Sequence, residues 1–224
     1  MMQVMVMEVS MVVMVLTCLL LLGSSRLGAY IRIVAVQGIV AALVPLVVHG
    51  HGLGLQAVGV SAVTLVMKGI VFPRLLWRAL YAAGVRREIE VYVSFPVSVL
   101  AGVLMLAGSC WLCGRLPLGA AVSGLAVPVA MFTVLTGLFL IVSRVLALTQ
   151  VVGYLTLENG IYLLSVVLVP QQLFVIEMGI LLDAFVAVFV MGIAIFHISR
   201  EFDHIDTQAM DELADWRAGK EAEQ

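Results

Sequence analysis

Charged residues are scarce in this chain of 224 residues: Asp, Glu, Lys and Arg together make up 12% of it. Soluble globular domains carry about 25% charged and 45–50% apolar residues, whereas hydrophobic residues here reach 63% and the mean hydropathy is +1.17. This composition excludes a sizeable soluble domain and predicts an all-α protein, a polytopic bundle of transmembrane helices in the lipid bilayer. The formal net charge of −2 gives no reason to expect a nucleic-acid partner.

Motifs for catalysis and cofactor binding are also missing. The sequence has no Gly-rich phosphate loop, no cluster of His and Cys and no nucleophilic triad, so we predict no catalytic residue, cofactor or metal site. Cys110 and Cys113 have the C-x-x-C spacing of some zinc and redox sites. They lie at the end of an apolar run, with no second Cys pair and no nearby His, and we interpret them as structural.

Apolar runs separated by charged, Gly, Pro and Ser residues define the predicted spans, each about 20 residues long. The spans lie at 4–23, 28–48, 55–80, 92–113, 118–142, 145–169 and 172–198. Only a sharp turn around Arg144 separates the fifth span from the sixth. The first span lacks the basic start and the cleavage site of a signal peptide, so we expect it to be retained. The charged segment 199–224 is too polar to insert.

Basic residues are distributed unequally between the two predicted sides of the membrane. Ten lie on the side of the C-terminus, namely Arg26, Arg32, Arg74, Arg78, Arg86, Arg87, Arg144, Arg200, Arg217 and Lys220, and only Arg115 lies on the other. Cytoplasmic loops carry the excess of Lys and Arg. Seven spans in the plasma membrane, with the N-terminus outside and the C-terminus in the cytoplasm, are therefore expected.

Two charged residues, Lys68 in the third span and Glu158 in the sixth, lie near the middle of predicted membrane helices. Insertion scales assign about 2.5–3.5 kcal/mol to Asp, Lys or Arg at a helix centre, and such residues often mark ion pathways. Lys68 either bridges such a path or neutralises an acid to hold helices together. We expect Asn159 and Gln150 to supply hydrogen bonds to Glu158.

Two further acids, Glu177 and Asp183, lie in the seventh span. The two positions are six residues apart, which corresponds to about 9 Å along a helix and to directions about 120° apart, so the two acids do not form one paired site. Asp183 lies near mid-span and is a candidate for the same path as Glu158. Glu177 is shallower, and its alternative role is to reach lipid headgroups or water.

Three segments resemble the hydrogenase-4 component E family: "TQVVGYLTLENGIYLLSVVLV", "VIEMGILLDAFVAVFVMGIAIFHI" and "HIDTQAMDEL". They carry G-Y-x-x-x-E-N-G, E-x-G-x-x-x-D and a short I-D motif followed by Leu, and the arrangement of Lys68 and Pro73 extends the resemblance. The last three spans are also similar to the K subunit of respiratory complex I and to the C subunit of Mrp-type antiporters. The resemblance divides the chain into N-terminal helices (1–117), a K-subunit-like unit of three helices (118–198) and the charged tail (199–224).

The resemblance implies a non-catalytic membrane subunit of a complex I-related, energy-converting [NiFe]-hydrogenase-type complex. Its partners would be antiporter-like large subunits and a hydrogenase-type peripheral arm, so that the enzymatic chemistry lies elsewhere. Glu158 and Asp183 would match the acids of the K subunit in a path for protons or Na⁺, with Lys68 and Glu177 beside them. The last span departs from the K subunit, because Asp183 replaces Glu and Glu177 is additional.

Two other classes of protein remain as alternatives. A structural spacer of the membrane arm would use the buried charges only to specify helix packing. A stand-alone transporter is less favoured, because the sequence shows no internal repeat and no pair of broken helices.

Overall fold

The computed structural model describes residues 2–49, 55–82, 92–116 and 124–168, together with Gly179 and Gly192. These ranges are helical and contain no strand, which confirms the all-α prediction. The helices are α1 (Met2–Gly23), α2 (Leu27–His49), α3 (Leu55–Val66), α4 (Phe72–Ala82), α5 (Phe95–Cys113), α6 (Ala126–Ser143) and α7 (Ala147–Leu168), with a π-helical segment (Met67–Val71) joining α3 to α4.

Five of these helices, α1, α2, α5, α6 and α7, are long and apolar enough to cross a membrane. The third predicted span corresponds to α3, the π-helical segment and α4, which follow one another without a break over residues 55–82. The chain is therefore a multi-pass membrane protein. Apart from Gly179 and Gly192, the predicted seventh span, 172–198, lies outside the described residues, as do Glu177 and Asp183 within it.

Two predicted spans began too early, and proline explains both corrections. The fourth was expected from residue 92, but α5 begins at Phe95 with Pro96 in its first turn. The fifth was expected from residue 118, but Gly124 and Leu125 form a turn and α6 begins at Ala126, with Pro128 in its first turn. Because proline lacks a backbone N–H, it fits the first turn of a helix, where no intrahelical acceptor is available.

The hairpin of α6 and α7 is packed so closely that its backbones touch. A Cβ at Gly137 on α6 would clash with the backbone of Leu157 on α7, and a Cβ at Gly160 would lie 2.6 Å from the backbone nitrogen of Val134. Small residues allow such close approach between membrane helices, where dispersion and backbone contacts replace the hydrophobic effect. The predicted sharp turn is present, since α6 ends at Ser143 and α7 begins at Ala147.

Two hydrophobic clusters fill the bundle at its two ends. One includes Leu21, Leu22, Tyr30, Val34, Phe72, Leu140, Val152 and Leu155. The other includes Met11, Met14, Ala41, Val44, Val129, Ala130, Tyr162 and Leu163. Along α1, α2, α6 and α7, buried polar residues come between the two sets, and a buried lysine joins them from the π-helical segment. We call this set the mid-bundle polar layer; it consists of Thr17, Cys18, Gln37, Lys68, Thr133, Thr136, Thr156, Glu158 and Asn159.

Candidate functional site: a buried lysine–glutamate pair

The π-helical segment places Lys68 in the mid-bundle polar layer. Within it, the backbone N–H of Phe72 donates to the carbonyl of Met67, five residues earlier. Pro73 gives the physical reason, because it lacks an N–H and its ring collides with the carbonyl of residue 69 in a regular α-helix. Short π-helical bulges are frequent at functional sites. The sequence contained the signal, Pro73, but the π-helical geometry was not predicted from it.

Gly38 on α2 allows the backbone at Lys68 to come close. A Cβ at Gly38 would lie 2.6 Å from the Cβ of Lys68 and 3.3 Å from its carbonyl oxygen. Real Cβ atoms essentially never approach one another so closely, so a larger residue at position 38 would push the two helices apart. Gly38 therefore sets the position from which the lysine side chain reaches α7.

The lysine side chain ends at Glu158 and Asn159 on α7. The distance from Lys68 Nζ to Glu158 Oε1 is 2.8 Å, and the two side chains are only 5% and 4% exposed. The ammonium also donates a hydrogen bond to Asn159 Oδ1 at 3.0 Å and lies 5.2 Å from the centre of the Tyr162 ring. The structure therefore brings together two of the four predicted site residues, Lys68 and Glu158.

The Glu158 carboxylate is not fully satisfied by this contact. Oε1 lies at ion-pair distance from the ammonium, but the angles are not those of a hydrogen bond, and neither carboxylate oxygen has a hydrogen-bond partner within the described ranges. An ionised carboxylate offers about four lone-pair sites. Glu158 therefore keeps acceptor capacity for a proton or for water while it balances the charge of Lys68.

The expected hydrogen bonds from Asn159 and Gln150 to Glu158 are absent, so this prediction was wrong. Asn159 accepts from Lys68 instead, and Gln150 Nε2 donates to the carbonyl of Arg144 at 3.1 Å. Gln150 lies in the first turn of α7, more than two helical turns from Glu158. Proximity in sequence was a poor guide here, because the turn between α6 and α7 offers Gln150 a nearer acceptor.

Three neutral residues of the mid-bundle polar layer form a second polar contact, which the sequence analysis missed. Gln37 Nε2 donates to Cys18 Sγ at 3.3 Å, and the thiol lies 3.7 Å from the hydroxyl of Thr133. All three side chains are fully buried. The available signal was the single amide of Gln37 within the apolar run "RIVAVQGIVAAL".

Arg144 lies in the predicted turn, but its side chain is buried rather than exposed to solvent. Its side chain is fully buried, Nη2 donates to the carbonyl of Leu22 at 3.0 Å, and the guanidinium lies 5.0 Å from the centre of the Phe95 ring. Arg144 thus sits at the C-terminal ends of α1 and α6. Each end carries about half a negative charge from the helix dipole, which stabilises the guanidinium, although its Nε and Nη1 have no hydrogen-bond partner within the described ranges.

No three side chains of His, Cys, Asp or Glu come together as a metal site in the part of the chain that the structure describes. Cys110 and Cys113 are free thiols, the first exposed and the second buried. Cys113 packs against a methionine, with its Sγ 3.6 Å from the Sδ of Met131. This contact fits the structural interpretation of the C-x-x-C spacing.

The fold and the site define a class: a multi-pass helical membrane protein with a lysine–glutamate pair buried between its helices. The chain is 32% identical over 208 residues to the uncharacterized protein Rv0085 of Mycobacterium tuberculosis, and the match covers 90% of this chain and 93% of the relative. The chain therefore belongs to the same family as Rv0085. No protein-family model and no solved structure matches it significantly.

Proposed function

We propose that this protein is a non-catalytic membrane subunit of a complex I-related, energy-converting [NiFe]-hydrogenase-type complex. In this proposal the Lys68–Glu158 pair belongs to a path for protons or Na⁺ through the membrane arm. Antiporter-like large subunits and a hydrogenase-type peripheral arm are the proposed partners. The resemblance of "GYLTLENG" and the following segment to hydrogenase-4 component E supports the class of complex.

The observation that carries the proposal is the incompletely satisfied ion pair in the mid-bundle polar layer. A proton can move from the Lys68 ammonium to the Glu158 carboxylate over the 2.8 Å between Nζ and Oε1. Both groups are then neutral, and the carboxyl of Glu158 keeps an oxygen that can accept from water or from a further group of the path. Ionisable groups at bilayer depth typically mark such relays. Asp183, outside the described residues, is proposed as the next acid and Glu177 as an auxiliary one.

A structural spacer is the second candidate, and a specific observation favours it. Lys68 connects the π-helical segment to α7, so the pair also fixes how these two elements pack. Replacing a buried ion pair by apolar residues is often neutral or stabilising, whereas removing one partner costs about 3–5 kcal/mol. The two candidates therefore need a test in which the charges are removed together.

The decisive variant is the double change Lys68→Met with Glu158→Gln. Proton translocation into membrane vesicles would be measured together with hydrogenase turnover and the amount of each subunit in the complex. The proposal predicts an assembled complex that turns over with reduced proton translocation. Normal translocation in the double variant would reject the ion path and leave the spacer. Glu8→Gln is the matched control, because Glu8 is the other carboxylate in the described ranges and is exposed.

Acids outside the described residues give a second arm of the same test. Asp183→Asn should lower proton translocation while the complex stays assembled, and Glu177→Gln should have a smaller effect. If Asp183 and Glu158 lie on one path, combining the Asp183→Asn change with the Lys68/Glu158 double variant should be little worse than the more severe of the two alone. Additive losses would contradict a single path.

The proposed orientation in the plasma membrane has the N-terminus outside and the C-terminal tail in the cytoplasm. The ten basic residues on the side of the C-terminus, against one on the other side, support this orientation. Reporter fusions at Arg115 and after Gln224 should then report opposite sides of the membrane. The same side for both would reject the seven-span topology without affecting the Lys68–Glu158 pair.

A further inference from the structure

We propose that the mid-bundle polar layer is hydrated, and that ordered water molecules connect the Glu158 carboxyl to the Cys18 thiol on the far side of the bundle. Gln37 and Thr136 would hold this water between them. The layer would then be a lateral branch of the ion path. Only that use rests on the proposed function, since the hydration is argued from buried oxygen atoms that have no hydrogen-bond partner within the described ranges.

The first half of the connection runs through α2. Gln37 precedes Gly38, the residue against which the backbone of Lys68 is packed. Lys68 in turn binds Glu158 at 2.8 Å. Since the side chain of Gln37 reaches Cys18 on α1, the amide and the ion pair lie at the same depth on neighbouring helices.

The second half runs through the hairpin of α6 and α7. Glu158 follows Leu157, whose backbone contacts Gly137, and Gly137 follows Thr136. The hydroxyl of Thr136 approaches the Cys18 thiol, although it forms no hydrogen bond of acceptable geometry. Both halves reach Cys18, through Gln37 on α2 and through Thr136 on α6.

Unpaired oxygen atoms occur on three residues of the layer. The side-chain oxygen of Gln37, the hydroxyl of Thr136 and both carboxylate oxygens of Glu158 are buried and have no hydrogen-bond partner within the described ranges. Each buried polar group left unpaired costs about 1–3 kcal/mol. A buried water typically makes about three hydrogen bonds to such groups, and groups from three helices are available here.

Two other buried threonines of the α6–α7 hairpin differ from Thr136 in this respect. The hydroxyl of Thr133 donates to the carbonyl of Val129 at 2.8 Å, and that of Thr156 donates to the carbonyl of Val152 at 2.9 Å. Both follow the usual pattern, in which a helical threonine bonds to the carbonyl four residues earlier. Thr136 is equally buried but does not make this bond, so its hydroxyl remains available to water.

Exchange of the Cys18 thiol with D₂O tests the hydration. In the full-length chain in lipid nanodiscs, Cys110→Ala and Cys113→Ala leave Cys18 as the single thiol, and the infrared S–H band reports its conversion to S–D. We expect exchange within minutes. Thr136→Val should slow it about tenfold, because one water hydrogen bond of about 1.4 kcal/mol is lost. Thr156→Val is the matched control and should leave the exchange rate unchanged.

Two results would overturn the inference. One is a thiol protected for as long as the backbone amides of the central helices; the other is exchange equally fast with Thr136→Val. Thermal stability gives an independent readout, because removing an unpaired hydroxyl from a dry bundle raises the melting temperature, whereas removing a hydrated one does not. Neither measurement needs the partner subunits. A dry Cys18 with intact proton translocation rejects only the lateral branch, and a hydrated layer without translocation rejects only the proposed function.

Discussion

The energetic coupling between Lys68 and Glu158 is the most direct test of the site. At 2.8 Å between Nζ and Oε1, two unit charges attract by about 6 kcal/mol at an effective dielectric constant of about 20. Part of this attraction compensates for removing both charges from water. We therefore expect Lys68→Met and Glu158→Gln each to lower the free energy of unfolding by about 3–5 kcal/mol, because each leaves an uncompensated buried charge.

The double variant Lys68→Met with Glu158→Gln should be far more stable than the sum of the two single changes implies. A coupling energy of about 3–5 kcal/mol is expected, measured as a double-mutant cycle by titrating the protein in mixed micelles with SDS and following helix content by circular dichroism. Arg74→Met is the control, because Arg74 is an exposed cation on α4 and its removal should change stability by no more than about 0.5 kcal/mol. Additive single effects would refute the buried pair.

Three further changes test how the site is held. Gly137→Ala should lower the free energy of unfolding by about 1–3 kcal/mol, because the added Cβ meets the backbone of α7. Gly108→Ala is the control, because an added Cβ there would have no atom within 4 Å, and it should be neutral or slightly stabilising in the same titration. Arg144→Met should cost more than about 1.5 kcal/mol through loss of a charge-assisted hydrogen bond, and an unchanged melting temperature would contradict its role at the two helix ends. Pro73→Ala should restore regular α-helical geometry and turn Lys68 away from α7, visible as a reduced Lys68–Glu158 coupling energy.

The sequence was sufficient to predict the fold class and the depth of two charged residues. An apolar composition admits only helices or closed barrels in a membrane, and long apolar runs indicated helices. Lys68 and Glu158 were recognisable because a charge within such a run is expensive. The sequence did not decide whether Lys68 bridges an ion path or only neutralises an acid, because composition carries no information on which face of each helix points inward.

The remaining features depended on local backbone geometry. The π-helical segment arises from Pro73 together with the close approach at Gly38, and neither residue predicts it alone. The position of Arg144 between two spans predicts an exposed loop residue, yet Arg144 is buried, because the C-terminal ends of two helices converge on it. Gln37 was not predicted as a site residue, because a neutral amide in an apolar run is a weaker signal than a charge. These features emerge only when helices that are distant in sequence pack together.

Unpaired acceptors in the mid-bundle polar layer support the proposed ion path. A buried charge that serves only to specify helix packing is most effective when every lone pair and proton is satisfied, since a partly satisfied network destabilises the fold. Asn159 shows that α7 can supply a hydrogen bond to Lys68. No described residue does the same for the oxygens of Glu158. A carboxyl held beside a lysine, but left with free acceptor sites at mid-bundle depth, is suited to exchange protons with water in the layer.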